Sequence, residues 1–172
     1  MKYERFEDVP VWQAAADLAA RLFEWSDQPA FRRKGDLANQ LQRAGLSISN
    51  NIAEGFERGT SAELITFLYY ARGSAGEVRS MLCVMSRMPA FTDLKSEISN
   101  FKSHCESISR QIRGWTNALQ NSDIKGQRYL NDQTRRAYTQ KKQGSAFLDQ
   151  LKRDHEERLR RLAEQRNLKS EI

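Results

Sequence analysis

Polar side chains that could do chemistry follow one face of the second predicted helix and one face of the third. Their spacings of three, four and seven residues place each set on one side of its helix. Such rows beside an apolar seam can form hydrogen bonds between helices, line a subunit interface or bind a ligand. These alternatives stay open for a set comprising Gln40, Ser47, Asn51, Glu54 and Arg58 in the second helix and Thr66, Tyr70, Gly73, Ser74 and Glu77 in the third.

Gly73 is unusual because it stands in the middle of a long helical pattern. Glycine inside a helix costs about 1 kcal/mol relative to alanine, so its presence needs a reason. Together with Ser74 and Ala75 it forms a stretch of small residues that lets another helix approach closely. We therefore predict tight packing at Gly73, either inside the subunit or between subunits.

The sequence offers no residue combination typical of catalysis. A serine or cysteine nucleophile needs an adjacent base. His104 precedes Cys105, but neighbours on a helix point about 100° apart, and His155 lies in the C-terminal region. Glu54 and Glu57 are three residues apart, yet bundle metal sites use Glu-x-x-His pairs, which are absent. The two glycines near them lack the GK[ST] ending of a phosphate loop. We predict no enzyme activity, no cofactor and no metal.

Basic side chains point to an anionic partner instead. The net charge is +6, with 15 basic and 14 acidic residues in 1–120 and 13 and 8 in 121–172. Scattered Lys and Arg bind backbone phosphates, and tyrosines among them can stack on unpaired bases. We predict RNA or DNA binding, and the alternative is a merely solvated surface. The candidates are Arg32, Arg33, Lys34, Arg43, Arg58, Arg72, Arg79, Arg135, Arg136, Lys141 and Lys142.

Four amphipathic helices must position these residues. Apolar residues recur at steps of three and four, and Asp8, Asp36, Thr60 and Thr92 stand where helix caps are expected. Similar lengths and short connections favour an all-α fold, an up-down-up-down antiparallel four-helix bundle with a C-terminal helical extension. The predicted helices run over 9–26, from Asp36 to 55–59, from Thr60 to Pro89 and from Thr92 to 120.

The C-terminal region has a different pattern. Residues 121–144 are polar and basic, which predicts a linker, and residues 145–172 predict a charged amphipathic helix. The chain therefore divides into a bundle at 1–120, the linker and this helix. The helix could dock on the bundle, self-associate as a coiled coil or form only when bound. Its narrow apolar stripe consists of Phe147, Leu148, Leu151, His155, Leu159 and Leu162.

Two further expectations concern the thiols and the cell compartment. Cys83 and Cys105 fall on apolar stripes, which predicts buried, reduced thiols. The sequence has no run of about 18 apolar residues, and its charged N-terminus lacks the apolar core of a signal peptide. We predict a cytoplasmic protein without a membrane partner.

Two stretches of the chain resemble a known family. Residues 40–55, with the Ser-Ile-x-x-Asn-Ile-Ala-Glu-Gly core from Ser47 to Gly55, form the first, and residues 67–77 form the second. They resemble the four-helix bundle family encoded in intervening sequences of bacterial large-subunit ribosomal RNA genes. That family includes proteins similar to the accessory variability determinant of diversity-generating retroelements. Residues 11–19 fit the same pattern, so the resemblance covers about residues 8–120.

The resemblance implies a subunit of a homopentameric barrel with a basic surface. In the retroelement setting it also implies nucleic acid and a reverse transcriptase as partners. The family has no accepted active site, so no catalytic residue carries over. Members usually end soon after the fourth helix, which leaves residues 121–172 without an inherited role. The matching positions are Ser47, Asn51, Glu54 and Glu77 among the polar residues and Arg43 and Arg58 among the basic ones.

The leading hypothesis is a non-catalytic homo-oligomeric scaffold that binds RNA or DNA through its basic surface and tail. The alternative is a protein–protein interaction scaffold without a nucleic-acid role. In that case the polar rows and the small residues would bind further copies of the chain or a polymerase-like partner, and the positive charge would be incidental.

Overall fold

The computed structural model describes residues 3–122, 136, 139–140, 143–154, 156–158 and 160. In these residues, the regular secondary structure is helical. The bundle helices are α1 (Pro10–Ser26), α2 (Leu37–Glu57), α3 (Ser61–Met85) and α4 (Lys95–Gln120). Short 3₁₀ segments at Phe6–Asp8, Pro29–Phe31 and Pro89–Leu94 precede α1, α2 and α4. The all-α bundle predicted from the sequence is confirmed.

The chain divides into two compact units, Met1–Arg128 and Tyr129–Ile172. The four helices belong to the first unit. In the second unit, residues 143–154 and 156–158 are helical, and Phe147, Leu148 and Leu151 are exposed. His155, Leu159 and Leu162 of the predicted stripe lie outside the described residues. The division at 1–120, 121–144 and 145–172 stays a prediction, because most of 121–144 is also outside them.

Each helix packs against the next one along the chain, and α4 also contacts α1. Side-chain contacts show that neighbours run antiparallel. Ser74 in α3 meets Ser47 in α2, and Tyr69 near the start of α3 meets Gln120 at the end of α4. The predicted apolar residues Leu18, Ile48, Leu68 and Ile108 are buried where the four helices meet, as the period of 3.6 residues requires.

Aromatic rings close one end of the bundle, where the α1–α2 and α3–α4 connections lie together. Trp25 contacts Phe31 at 5.0 Å and Phe101 at 4.9 Å between ring centroids. Phe31 in turn contacts Phe91 at 5.1 Å. The rings of Trp25 and Phe31 meet edge to face, a favourable arrangement for aromatic quadrupoles. This cluster fixes both connections and therefore the position of the basic loop that follows Phe31.

The helix starts confirm the cap predicted at Thr60, confirm Asp36 in position only, and correct the two other cap predictions. Thr60 accepts a hydrogen bond from the Glu63 backbone N–H at 3.2 Å, as predicted. Asp36 occupies the cap position of α2, but its carboxylate accepts from the Asn39 side chain instead of the backbone. The Asp8 prediction is wrong: Asp8 ends a 3₁₀ turn, and Val9 precedes α1. The start of α1 is set by packing, because Phe6, in the same 3₁₀ turn as Asp8, contacts Trp12 of α1.

Thr92 is the second wrong cap prediction. α3 ends at Met85, four residues before Pro89, the chain then forms the 3₁₀ segment Pro89–Leu94, and α4 begins only at Lys95. The reason is Phe91, which is completely buried in the aromatic cluster and adopts non-helical backbone angles. Burying this ring delays the helix by three residues and leaves Thr92 exposed in the connection.

Two glycines allow the closest helix contacts. A Cβ atom on Gly45 of α2 would lie 2.7 Å from Leu22 Cδ1 of α1. A Cβ atom on Gly55 would lie 2.6 Å from Phe67 Cβ of α3. Real carbon atoms do not approach so closely, so hydrogen side chains at these positions let α2 pack tightly against both neighbours.

Two predictions about apolar residues on helix faces need correction. The sequence places Phe23 beside the apolar repeat of the first helix, which predicts a buried ring, but Phe23 is 42% exposed. Cys105 is buried as predicted, but Cys83 is only half-buried. No helix in the described ranges is long and apolar enough to cross a membrane.

Candidate nucleic-acid interface

The polar rows of α2 and α3 meet in one hydrogen-bonded network. Ser47 Oγ and Ser74 Oγ are 3.0 Å apart across the two helices. Asn51 Nδ2 donates to the Ser47 carbonyl at 2.7 Å and to its hydroxyl at 3.0 Å. Ser74 Oγ also donates to the Tyr70 carbonyl at 3.1 Å. Of the alternatives left open by the sequence, the structure shows hydrogen bonds between helices for these residues, which stabilise the α2–α3 contact.

Glu54 and Arg58 continue the same row toward the end of α2. Arg58 Nη2 donates to Glu54 Oε1 at 2.6 Å, and the Glu54 carboxylate raises the pKa of the guanidinium. The guanidinium carbon lies 5.1 Å from the centroid of the Phe67 ring. That ring meets Tyr70 edge-on at 5.7 Å. Arg58 therefore contacts both Glu54 and the Phe67 ring, which in turn contacts Tyr70.

Gln40, Gly73 and Glu77 are exposed on the same helices. Packing inside the subunit, one of the two explanations offered for Gly73, is wrong. A Cβ atom built on Gly73 would meet nothing within 4 Å. The turn at Gly73 faces outward because Ala71 and Ala75 carry the buried side of α3 at this level. Among the residues that the structure describes, no packing contact therefore compensates the helix-propensity cost of this glycine.

The predicted basic residues of the bundle fall into three groups instead of one. Arg32, Arg33 and Lys34 lie in the α1–α2 connection beside the aromatic cluster, where Arg33 adopts a left-handed backbone with φ of 60°. Arg43 and Arg58 flank the α2–α3 contact, and Arg72 and Arg79 lie in α3. All but the half-buried Lys34 are exposed. Arg136 is exposed in the second unit, whereas Arg135, Lys141 and Lys142 lie outside the described residues.

The group on α3 is joined by cations of α4 that sequence reasoning missed. Arg79 Nη1 lies 3.8 Å from Glu106 Oε1, and Tyr69 accepts a hydrogen bond from Gln120. These contacts set the antiparallel register. Arg72 is one heptad before Arg79, and Arg113 is one heptad after Glu106, so both lie at one level of the bundle. We call the resulting surface the α3–α4 basic face; it comprises Arg72, Arg79, Lys102, Arg110 and Arg113 around Glu106.

The α3–α4 basic face carries more cations than anions. Its one ion pair among the described residues joins Arg79 and Glu106, both about half exposed, so it is weak. Arg72, Arg110 and Arg113 are exposed and have no ion pair within the described ranges. The repeat of seven residues could have found Arg113, but only the register between α3 and α4 shows that it faces Arg72.

The thiol and imidazole next to each other in α4 do not form a nucleophile–base pair. Cys105 is buried, and desolvation raises the pKa of its thiol to about 12. His104 points outward, with Nδ1 3.0 Å from the Asn100 carbonyl and Nε2 3.4 Å from Arg21. Among the described residues, no group of three or more His, Cys, Asp or Glu side chains could hold a metal ion.

A cleft of about 290 Å³ opens between the end of α1 and the start of α4. Its two carboxylates, Glu24 and Glu97, are of a type that can act as acid or base, but none of its lining residues is a serine, cysteine or histidine. The residues that line it are Arg21, Glu24, Trp25, Gln28, Glu97, Asn100 and Phe101.

The fold and surface define a class of protein: a helical bundle with an internal polar network and a cationic outer face. Residues 7–114 match the family described as 23S rRNA-intervening sequence protein. The match spans more than half of the chain, and the protein belongs to this family. The sequence resemblance to the ribosomal intervening-sequence proteins is thereby confirmed.

A solved structure supports the fold. The chain is similar to a protein of unknown function from the S23 ribosomal protein family of Bacteroides thetaiotaomicron, with a TM-score of 0.56 and 20% identity. The similarity covers 62% of this chain and 97% of that chain. No curated protein matches the sequence. The family description and the name of the solved relative indicate no catalytic activity.

Proposed function

We propose that this protein is a non-catalytic homo-oligomeric scaffold that binds the phosphate backbone of RNA or DNA. The observation that carries the proposal is the α3–α4 basic face, where the register of two helices collects five cations around one carboxylate. Such a surface attracts a polyanion through Coulomb forces and counterion release. Arg32, Arg33 and Lys34 extend the positive charge to one end of the bundle.

Oligomerisation, and with it a pentamer, rests on the family likeness. The finer likeness to the retroelement accessory protein, which brings a reverse transcriptase as partner, is likewise a proposal. The polar network does not require a second subunit, because Ser47, Asn51 and Ser74 satisfy one another within the chain. The mass of the protein in solution at micromolar concentration tests assembly, and a monomer would contradict it.

The affinity for a fluorescent single-stranded RNA, measured by anisotropy at several salt concentrations, tests the proposed function. About four phosphate contacts on a single strand give a salt slope near −3, so affinity should fall on the order of fifty-fold between about 50 and 200 mM salt. Absence of binding at the lower salt concentration, to this RNA and to a duplex, would overturn the proposal.

Charge reversal locates the binding surface. The double variant R72E/R113E should weaken binding by an order of magnitude or more, because two phosphate contacts become repulsive. The control R5E/R21E changes the net charge equally, but Arg5 precedes α1 and Arg21 lies in α1, which carries no residue of the α3–α4 basic face. Equal loss in both variants would show that net charge alone, and not this face, attracts the nucleic acid.

A protein-interaction scaffold is the second candidate. It is favoured by the exposed apolar side chains Phe147, Leu148 and Leu151 in the C-terminal helical segment. Exposed apolar residues at helical spacing are typical of a surface that packs against another helix. Under this candidate, R72E/R113E leaves partner binding unchanged, whereas F147D/L151D abolishes it.

A further inference from the structure

Two neighbouring tyrosines stand on the outer surface of α3, close to the basic face. Tyr69 is 45% exposed and Tyr70 is 57% exposed, so large parts of both rings contact solvent. Consecutive residues on a helix point about 100° apart. The two rings therefore flank the outward face of α3, with Tyr69 on the side of α4 and Tyr70 on the side of α2.

Thr66 and Gly73 form the surface between these rings. Each lies three residues from one tyrosine and four from the other, so each is a neighbour of both on the helix surface. Helical side chains lean toward the N-terminus and cover the preceding turn. A side chain at position 73 would therefore lean over the turn that carries Tyr69 and Tyr70. The glycine leaves the space between the rings open, which gives a reason for a residue that packing does not explain.

Both rings make contacts with other side chains of the bundle. The hydroxyl of Tyr69 accepts a hydrogen bond from Gln120 Nε2 at 3.0 Å. The ring of Tyr70 packs nearly perpendicular to the ring of Phe67, and the Arg58 guanidinium lies over the Phe67 ring. Rings that are already ordered lose little conformational entropy when a ligand binds. The exposed ring surfaces are thus preorganised.

Cations stand on both sides of the pair. Arg72 is three residues after Tyr69 and belongs to the α3–α4 basic face. Arg58 lies on the other side, at the aromatic pair of Phe67 and Tyr70. Aromatic rings interleaved with arginines are the common recognition surface for single strands, because unpaired bases have free faces for stacking while arginines bind the phosphates. Bases in a duplex have both faces covered by their neighbours and cannot use the rings in this way.

We propose that Tyr69 and Tyr70, with Gly73 between them, form a stacking site for unpaired bases of a single-stranded nucleic acid. The inference rests on the proposed function and narrows its ligand from any polyanion to a strand with accessible bases. The α3–α4 basic face would hold the phosphates of the same strand.

The test compares a single-stranded RNA with a duplex of the same sequence, by anisotropy at one salt concentration. The native protein should bind the single strand more tightly. Y69A/Y70A should lose at least about 5- to 150-fold in single-strand affinity, the range for one stacked base, and keep its duplex affinity. The control F23A removes an equally exposed ring from α1 and should leave both affinities unchanged.

A second pair of variants blocks the site without removing the rings. G73L should weaken single-strand binding selectively, since leucine would cover the turn between the tyrosines. G114L is the matched control, because Gly114 is an exposed glycine in α4 with nothing within 4 Å of a built Cβ. Circular dichroism and solution mass of both variants verify that fold and assembly persist.

The outcomes separate the two proposals. Equal affinity for single strand and duplex in the native protein, with no selective loss in Y69A/Y70A, would overturn the stacking site and leave phosphate binding intact. If G73L dissociates an oligomer that G114L preserves, the outward face of α3 is a subunit interface and the stacking site is wrong. Binding to neither nucleic acid would overturn the proposed function itself.

Discussion

The two flanks of α3 use polar residues in opposite ways. On the α2 side, Ser74 joins Ser47 and Asn51 in a network whose hydrogen bonds are made within the chain. On the α4 side, Arg72 and Arg113 face solvent at one level of the bundle without an ion pair among the described residues. Polar groups that satisfy one another stabilise a fold, whereas like charges gathered on a surface cost stability unless an anion binds. The hydrogen bonds of the α2 flank stabilise the fold, whereas phosphate binding at the arginines of the α4 flank is what we propose.

Adding a methyl group at Gly55 should lower the stability of the α2–α3 contact more than the other changes considered below. The new Cβ would lie 2.6 Å from Phe67 Cβ, an atom that cannot rotate away, so α2 and α3 must separate. We expect Gly55→Ala to lower the free energy of unfolding in urea by about 1–3 kcal/mol. Gly114→Ala, at an open position of α4, should raise it by up to about 1 kcal/mol. Equal stability of the two variants would contradict the tight α2–α3 contact.

Asn51→Leu tests the network itself. The substitution keeps the approximate shape but removes the amide that donates to Ser47, so we expect a loss of about 1 kcal/mol in the free energy of unfolding. Its nucleic-acid affinity and salt slope should equal those of the native protein. Gln40→Leu, at an exposed position of the same row, should change stability by less than about 0.5 kcal/mol. An Asn51 variant that folds normally but binds RNA poorly would move the ligand site to the α2 flank.

The reactivity of the Cys105 thiol tests whether the core beneath the α3–α4 basic face stays packed in the native protein. At neutral pH the half-buried Cys83 should react with an alkylating reagent, whereas Cys105 should react only on unfolding. The pKa of the Cys105 thiol is about 12, above its ordinary value of 9.0, so the unfolded state loses its proton first. The stability it contributes is complete below about pH 9 and is lost as the pH rises toward 12.

The labelling is read as mass added per thiol under native and denaturing conditions, with Cys83→Ser to isolate Cys105. In Cys105→Val, which has no ionisable group at this site, the alkaline loss of stability should be smaller. Rapid native labelling of Cys105 would show that α3 and α4 separate readily, and the basic face would then not be a fixed surface.

Of these variants, Glu106→Gln should change stability the least. It should raise the affinity for RNA, whereas R72E/R113E should lower it. The pair with Arg79 spans 3.8 Å between half-exposed groups, so its loss should cost less than about 0.5 kcal/mol. Removing the carboxylate makes the basic face more positive, and RNA affinity at low salt should rise about two- to five-fold. Glu24→Gln on α1 supplies the control. A Glu106 variant that binds no better than this control would argue against phosphate at this surface.

The fold could be predicted from the sequence because its apolar residues follow the 3.6-residue period of an α-helix. Leu64, Leu68, Ala71, Ala75 and Val78 repeat every three or four residues, and the structure buries all of them. The cap at Thr60 could also be predicted, because it depends only on nearby residues. In the structure, Thr60 and Glu63 hydrogen-bond to each other as this cap requires. Asp8 and Thr92 failed because the tertiary packing of Phe6 and Phe91 moved the helix starts away from them.

The candidate site was only partly accessible from the sequence, since it depends on register between helices. Spacing alone placed Ser47 and Ser74 in facing rows, and they do meet. Spacing could not show that Arg113 of α4 shares a level with Arg72 of α3, because nothing local relates residues 41 positions apart. Nor could it distinguish Gly55, which fits against Phe67, from Gly73, which faces open space.

The slope of binding affinity against salt concentration, measured for the native protein and for R72E/R113E, tests the central claim most directly. If these arginines bind phosphates, the slope for a single-stranded RNA should become shallower by about 0.7 for each phosphate that the variant no longer neutralises, or about 1.4 in total. R5E/R21E should retain the native slope. Identical slopes in the native protein and R72E/R113E would contradict the assignment of phosphate binding to the α3–α4 basic face.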